Sequence, residues 1–172
     1  TINIGSTNAL RVLGKKAGAA TFICDVGKCI IAFAICYHFF GGLIGGIYGS
    51  LGVMLGHDFP FYLKFKGGKG IAATAGIIFS IDWRLTVLCL AVFILIVAVT
   101  RYVSLGSLVV SVILLAWNVY MGKCGAYNLS AVSSTEYGAM TAVIAAMAFW
   151  RHRANIIRLI HGNENKVGAK KS

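Results

Sequence analysis

The sequence predicts an all-α, polytopic integral membrane bundle, and three observations carry that prediction. Of 172 residues, 58% are hydrophobic and only 12% charged, with a mean hydropathy of +0.81. Globular domains carry roughly a quarter charged residues. The apolar residues fall into six segments, and the 16 lysines and arginines collect near the segment ends.

Residues 1–16 are a polar opening in which Thr7, Asn8 and Arg11 offer a hydroxyl, an amide and a guanidinium. Those groups suit a phosphorylated polar ligand. Arg11, Lys15 and Lys16 equally suit anchoring at the cytoplasmic face. The chain starts at Thr1 in polar sequence with no signal peptide, so a preceding N-terminal piece is expected. Residues 18–37 form the first span. It carries Asp25 and Lys28, three apart on one helix face, read as a structural pair that neutralises itself inside the bundle. The second span, residues 42–55, holds five glycines (Gly42, Gly45, Gly46, Gly49, Gly52) that permit close helix approach in lipid.

Residues 56–70 interrupt this pattern with Gly-His-Asp-Phe-Pro-Phe-Tyr-Leu-Lys-Phe-Lys-Gly-Gly-Lys-Gly, which includes the only proline, Pro60. Glycine lets an anion approach the main chain and reaches positive φ at little cost. Successive N–H groups at Gly67, Gly68, Lys69 and Gly70, running into a helix start at Ile71, would form a phosphate nest, with Lys66 and Lys69 adding charge. It is not a Walker loop, because no Ser or Thr follows Lys69. A flexible basic turn against lipid headgroups is the alternative. Residues 71–81 are apolar but shorter than the ~20 residues of a perpendicular span. Residues 85–100 and 108–121 are clear spans, 123–135 a polar outer loop, and 136–150 the last span. From Arg151 the tail is basic, with an amphipathic run at residues 156–160 suited to the interface.

If all six segments cross, one side collects Arg11, Lys15, Lys16, Lys64, Lys66, Lys69, Arg101 and the six cations from Arg151 onward, 13 of the 16. Arg84 and Lys123 lie opposite, and Lys28 lies within a span. That asymmetry obeys the positive-inside rule and brings every long polar stretch to the cytoplasmic face.

The net charge of +11 does not indicate nucleic acid, because it forms no basic face and accompanies no nucleic-acid motif. The five cysteines form no CxxC pair, and neither a disulfide nor a zinc site is expected. The converging side offers hydroxyls (Thr7, Ser104, Ser107), amides (Asn8, Asn155), cations (Arg11, Lys66, Lys69), the histidines His57 and His152, and Glu164. Either histidine can act as a base near neutral pH. Two histidines and a glutamate without an H-E-x-x-H spacing do not predict a metal.

Gly56-His57 with Phe59-Pro60 and Phe65-Lys66-Gly67-Gly68-Lys69-Gly70 closely resembles the central motif of the bacterial acyl-phosphate-dependent glycerol-3-phosphate acyltransferases, the PlsY family. Asn3, Gly5, Thr7, Asn8, Leu10 and Arg11 match its first motif, while Thr1, Ile2 and Ser6 depart from it. Residues 100–107 resemble a third element, with Gly106 in place of a serine. His152-Arg153-Ala154-Asn155-Ile156 and Gly162-Asn163-Glu164 resemble the last, with Asn163 in place of a threonine. The H-x-x-x-x-D motif of the other large class of glycerolipid acyltransferases is missing, as is a G-x-S-x-G elbow.

The resemblance implies one transmembrane acyltransferase domain over residues 1–172, with a seventh span preceding the six. It implies transfer of a fatty acyl group from acyl phosphate to the 1-hydroxyl of glycerol 3-phosphate, giving lysophosphatidic acid and phosphate, in the bacterial inner membrane with the site facing the cytoplasm. Its partners would be those two substrates and membrane lipid, with no cofactor, metal, nucleic acid or obligate protein partner. The catalytic candidates it implies are His57, Lys69, Ser104, His152, Asn155 and Glu164. The substrate-binding candidates are Thr7, Asn8, Arg11, Lys66, Gly67, Gly68, Gly70 and Ser107. The general base stays open between His57, His152 and a substrate phosphate oxygen. The rival reading is a small transporter or channel for phosphate-bearing solutes, which also use broken helices at anion sites, although no inverted repeat is discernible.

Overall fold

A computed structural model of the chain describes residues 5–65 and 67–168, apart from the side chains of Ser6, Thr7 and Arg11. Eight α-helices account for nearly all of it: α1 (Ser6–Val12), α2 (Lys15–Phe39), α3 (Leu43–Asp58), α4 (Ile71–Ile81), α5 (Trp83–Thr100), α6 (Val103–Lys123), α7 (Ala131–Arg151) and α8 (Arg153–Ile160), with one 3-10 turn at Phe61–Leu63. There is no strand among the described residues. Helices α2 to α7 correspond one to one with the six expected segments. Three of them, α2, α5 and α6, are long and apolar enough by themselves to cross a membrane.

Some boundaries differ from the sequence expectation, for local reasons. Helix α2 starts at Lys15 rather than residue 18, and α6 runs back to Val103 through Ser104 and Ser107. Ser107 and Ser111 donate their hydroxyls to carbonyls one turn earlier, at Val103 and Ser107, so polar side chains do not end that helix. The outer loop is shorter than residues 123–135 because Ser130 caps α7, its Oγ accepting from the Ser133 N–H at 3.1 Å. Asp82 caps α5 in the same way, accepting from the Arg84 N–H at 2.8 Å.

Helix α4 sits at the centre. Ala72, Ala73, Thr74, Gly76, Ile77 and Ile78 are all buried, against α2, α3, α5 and α6. Helix α2 approaches it closely at Gly76, where a Cβ would lie 2.6 Å from the Val26 carbonyl oxygen. It approaches α3 at Gly46, which faces the Phe33 ring. Ile47, Met54, Ile77, Leu85, Leu114 and Ile144 fill the interior. Outward-facing Phe22, Ile31, Leu90, Leu95, Val99 and Val112 make the perimeter apolar, as a lipid solvent requires. At 1.5 Å per residue α4 is ~16 Å long and α5 ~27 Å. The two meet at Asp82, and α4 is ~10 Å shorter than α5.

Candidate active site

Contacts across the chain show which stretches share one end. Arg151 donates to the Gly67 and Gly68 carbonyls, Lys69 to the Asn155 side chain, and Arg101 exchanges backbone and side-chain bonds with Val167. Between them lies a cavity of about 340 Å3. Its walls are Asn8 of α1, Asp25 of α2, His57 of α3, Lys69 and Gly70 with the start of α4, Ser104 and Ser107 of α6, and His152, Asn155, Arg158 and Glu164 beyond α7.

The glycine loop divides its labour in a way the sequence did not indicate. The Gly67 and Gly68 N–H groups donate to the Asp58 and His57 carbonyls, each at 3.2 Å, and their own carbonyls accept from Arg151. Neither residue lines the cavity. They lie so close to the end of α3 that a Cβ on either would stand 2.1 Å from His57 atoms. The cavity-facing part begins at the next residue, Lys69. Gly70 adopts φ +70° and its carbonyl accepts from both Thr74 N–H and Thr74 Oγ1. No side chain caps α4. Its first N–H groups, at Ile71 and Ala72 in the cavity wall, have no carbonyl within the helix to bond. An uncapped helix start carries partial positive charge and suits an anion.

Lys69 extends over this site. Its Nζ donates to Asn155 Oδ1 at 2.7 Å, Asn155 Nδ2 donates to Glu164 Oε1 at 2.8 Å, and Arg158 Nε donates to Glu164 Oε2 at 2.8 Å. A lysine only donates and a carboxylate only accepts, so the amide orientation of Asn155 is fixed. Glu164 is paired with Arg158, and Lys69 lines the cavity.

His152 sits at the junction of α7 and α8, buried. Its Nδ1 lies 2.7 Å from the Ala148 carbonyl oxygen. A carbonyl only accepts, so Nδ1 carries the proton and Nε2 keeps its lone pair. Burial lowers its pKa from 6.5 to about 4, with Lys69 and Arg151 nearby acting in the same direction. It is therefore a neutral acceptor at neutral pH.

His57 joins a different group. Lys28 Nζ lies 2.8 Å from its Nδ1 and donates to Asp25 Oδ1 at 2.6 Å, the same Nδ1 lies 3.4 Å from Asp25 Oδ1, and Nε2 is pressed against Gly68. The Asp25–Lys28 pair read from sequence forms as expected, and His57 joins it. Ser104 Oγ is buried with no hydrogen-bond partner among the described residues, whereas the Ser107 proton is spent on Val103. Thr7, Arg11 and Lys66 lie outside the described residues or side chains.

Two residues that sequence reasoning missed hold the loop in place. Asp58 is fully buried with neither carboxylate oxygen hydrogen-bonded among the described residues, and Arg151 Nε stands 4.0 Å from it while gripping the glycine carbonyls. The signal for Arg151 was hidden in a run, Arg151-His152-Arg153, in which it is the only arginine turned inward.

Fold and site together define a helical integral membrane protein with a polar cavity lined by Lys69, Arg158, two histidines and two carboxylates. The family model described as glycerol-3-phosphate acyltransferase matches residues 1–162. The glycerol-3-phosphate acyltransferase of Clostridioides difficile is 41% identical over 98% of this chain and 80% of its own length. That of Bordetella pertussis is 37% identical over 98% of this chain and 77% of its own. Crystal structures of PlsY (YgiH), an integral membrane glycerol 3-phosphate acyltransferase, superpose with TM-scores of 0.82 for the glycerol 3-phosphate form and 0.81 for the lysophosphatidic acid form. Each is 32% identical over 96% of this chain, covering 78% and 80% of the PlsY chain respectively. The chain belongs to the PlsY family of integral membrane glycerol-3-phosphate acyltransferases.

Proposed function

We propose that residues 1–172 act as one transmembrane domain that moves a fatty acyl group from acyl phosphate to the 1-hydroxyl of glycerol 3-phosphate, at the cytoplasmic face of the bacterial inner membrane. The observation that carries this reading is a junction of two cavities. The polar one, with Lys69, the α4 start and the neutral His152, shares Ile71 and Ser107 with an apolar one of about 190 Å3. The apolar cavity is lined by Phe22, Ile78, Cys89, Leu90, Phe93 and Val110. A water-soluble phosphate and a lipid tail can thus meet at one point without either leaving its preferred surroundings.

The 1-hydroxyl oxygen attacks the acyl carbonyl carbon, a C–O ester bond forms, and the bond from the acyl carbon to the phosphate oxygen breaks with its electron pair leaving on phosphate. Acyl phosphate is already activated, so no enzyme nucleophile is needed. Lys69 and the α4 N–H groups hold phosphate oxygens, joined by Thr7, Asn8, Arg11 and Lys66. The Ser104 hydroxyl donates to the oxygen on which charge develops. His152 Nε2 accepts the hydroxyl hydrogen bond and orients it. With a pKa of about 4 it is a weaker base than the departing phosphate, whose second pKa is ~6 in a phosphate monoester. The proton therefore finishes on phosphate. Asn155 and Glu164 position Lys69. Gly67, Gly68 and His57 shape the loop, with Gly70 opening α4 and Ser107 closing the wall. Most of the rate enhancement then comes from placement and preorganised charge.

The test uses the purified protein in lipid with glycerol 3-phosphate and either palmitoyl phosphate or palmitoyl-CoA. Phosphate release requiring both glycerol 3-phosphate and palmitoyl phosphate is expected. Turnover with the thioester alone overturns the donor, and silence with both overturns the reaction.

A further inference from the structure

We infer that Asp25 binds the 2-hydroxyl of glycerol 3-phosphate and makes the enzyme selective for glycerol over diol phosphates that lack it. The inference rests on the acyl-transfer reading above.

Glycerol 3-phosphate carries two hydroxyl donors besides its phosphate, and each needs an acceptor once the cavity excludes water. Most acceptors in the cavity wall are already engaged. Both Glu164 oxygens receive bonds from Asn155 and Arg158, and Asn155 Oδ1 receives one from Lys69. Two remain. One is the His152 lone pair at Nε2. The other is Asp25 Oδ2, which is buried and has no hydrogen-bond partner among the described residues, while Asp25 lines the cavity and is only 7% exposed.

Asp25 is also held rigidly. Its Oδ1 accepts from Lys28 at 2.6 Å and lies 3.4 Å from His57 Nδ1, so the second oxygen has a fixed direction before substrate arrives. A buried carboxylate oxygen with no donor is destabilising, and an entering hydroxyl relieves that. Charge decides which hydroxyl it takes. A fixed carboxylate beside the reacting centre would repel the negative charge building on the carbonyl and on the leaving phosphate. The neutral His152 suits the reacting 1-hydroxyl, and the anionic Asp25 suits the spectator at carbon 2.

The experiment compares glycerol 3-phosphate with 3-hydroxypropyl phosphate, which keeps the reacting hydroxyl and lacks the other, using kcat/KM from phosphate release with palmitoyl phosphate. A charge-assisted hydrogen bond predicts a wild-type preference of about 10- to 100-fold for the glycerol substrate. In Asp25→Asn, Lys28 holds the amide oxygen and turns the NH2 toward the substrate, so the preference should shrink to about threefold or less. Lys28→Gln keeps Oδ2 in place and should keep the preference. If Asp25→Asn slows both substrates equally and leaves the ratio untouched, or if the wild type shows no preference, the inference is overturned. If Asp25→Asn is inactive, the same ratio is read in Asp25→Asn/Lys28→Met, which removes the charge pair together, and from stabilisation of each variant against thermal unfolding by the two phosphates. A retained preference there overturns it equally. Wild-type silence with glycerol 3-phosphate and palmitoyl phosphate is a different result, and condemns the reaction rather than this residue.

Discussion

Gly68→Ala is the sharpest test of how the loop is built. Gly68 is not among the glycines with positive φ, so alanine suits its backbone and only space opposes it. The added Cβ would lie 2.1 Å from His57 Nε2, where ordinary contact begins at 3.4 Å, so something must yield by about 1.3 Å. His57 cannot easily yield, because Lys28 holds its Nδ1 at 2.8 Å. Nor can the loop, because Arg151 grips the Gly67 and Gly68 carbonyls and α3 carbonyls hold both N–H groups. The displacement therefore passes to the next residue, Lys69. A misplacement of ~1 Å in a positioning group costs about 100-fold in rate, and overpacking a tight site costs about 1–3 kcal/mol of stability. The assay is kcat/KM by phosphate release, read in wild type, Gly68→Ala, His57→Ala and the double variant. Shortening His57 empties the space the methyl needs, so Gly68→Ala should cost little in the His57→Ala background. A fully active Gly68→Ala, or an equal penalty in both backgrounds, would refute the steric argument.

Three further outcomes follow from the same geometry. Lys69→Met removes the charge over the α4 start and breaks the bond to Asn155, and kcat/KM should fall by about 100- to 1000-fold; full activity would sink the claim that this end of the cavity holds phosphate. Ser104→Ala deletes a buried hydroxyl with no partner among the described residues, so thermal stability should hold or rise by up to ~1 kcal/mol while kcat drops by about 10- to 100-fold. A loss of stability matching the loss of rate would mark Ser104 as a packing residue. His152 gives a pH signature: its folded pKa of about 4 lies below its ordinary 6.5, so between those values the unfolded chain binds the extra proton and stability rises with pH. The slope is ~1.4 kcal/mol per pH unit, approaching about 3 kcal/mol above pH 6.5 and vanishing below pH 4. Denaturation profiles in detergent should show that slope flattened in His152→Gln.

The parts of this architecture legible in sequence were those that the solvent forces. In a chain this apolar, a polar residue has few places to go, so Asn8, Lys69, Ser104, His152, Asn155 and Glu164 could be grouped from charge asymmetry before any contact was known. All six line the cavity. What pattern cannot convey is partner choice. Gly67, Gly68, Lys69 and Gly70 looked like one continuous nest, yet two of their N–H groups are consumed by α3 carbonyls. Asp25 and Lys28 looked like a self-sufficient pair, yet His57 completes the group and one oxygen is left over. Asp58 and Arg151, far apart in sequence, carry no periodic signal at all, because their relation exists only once α3 and α7 pack together.

The short central helix explains why such a site can work at a membrane surface. Helix α4 is ~10 Å shorter than α5, and its start lines the cavity beside the buried Asp25, Ser104, His152 and Asn155. At that buried depth the surroundings are lower in dielectric than water and electrostatic attraction is stronger. That depth also brings the polar cavity beside the apolar one through Ile71 and Ser107, so the lipid tail can enter sideways between α4, α5 and α6. The half-buried cations and buried carboxylates of such a site are stabilised by bonding to one another. The Lys69–Asn155–Glu164–Arg158 chain and the Asp25–Lys28–His57 group are bonded in this way. Extending α4 by one turn at its start should therefore weaken phosphate binding even with every side chain present.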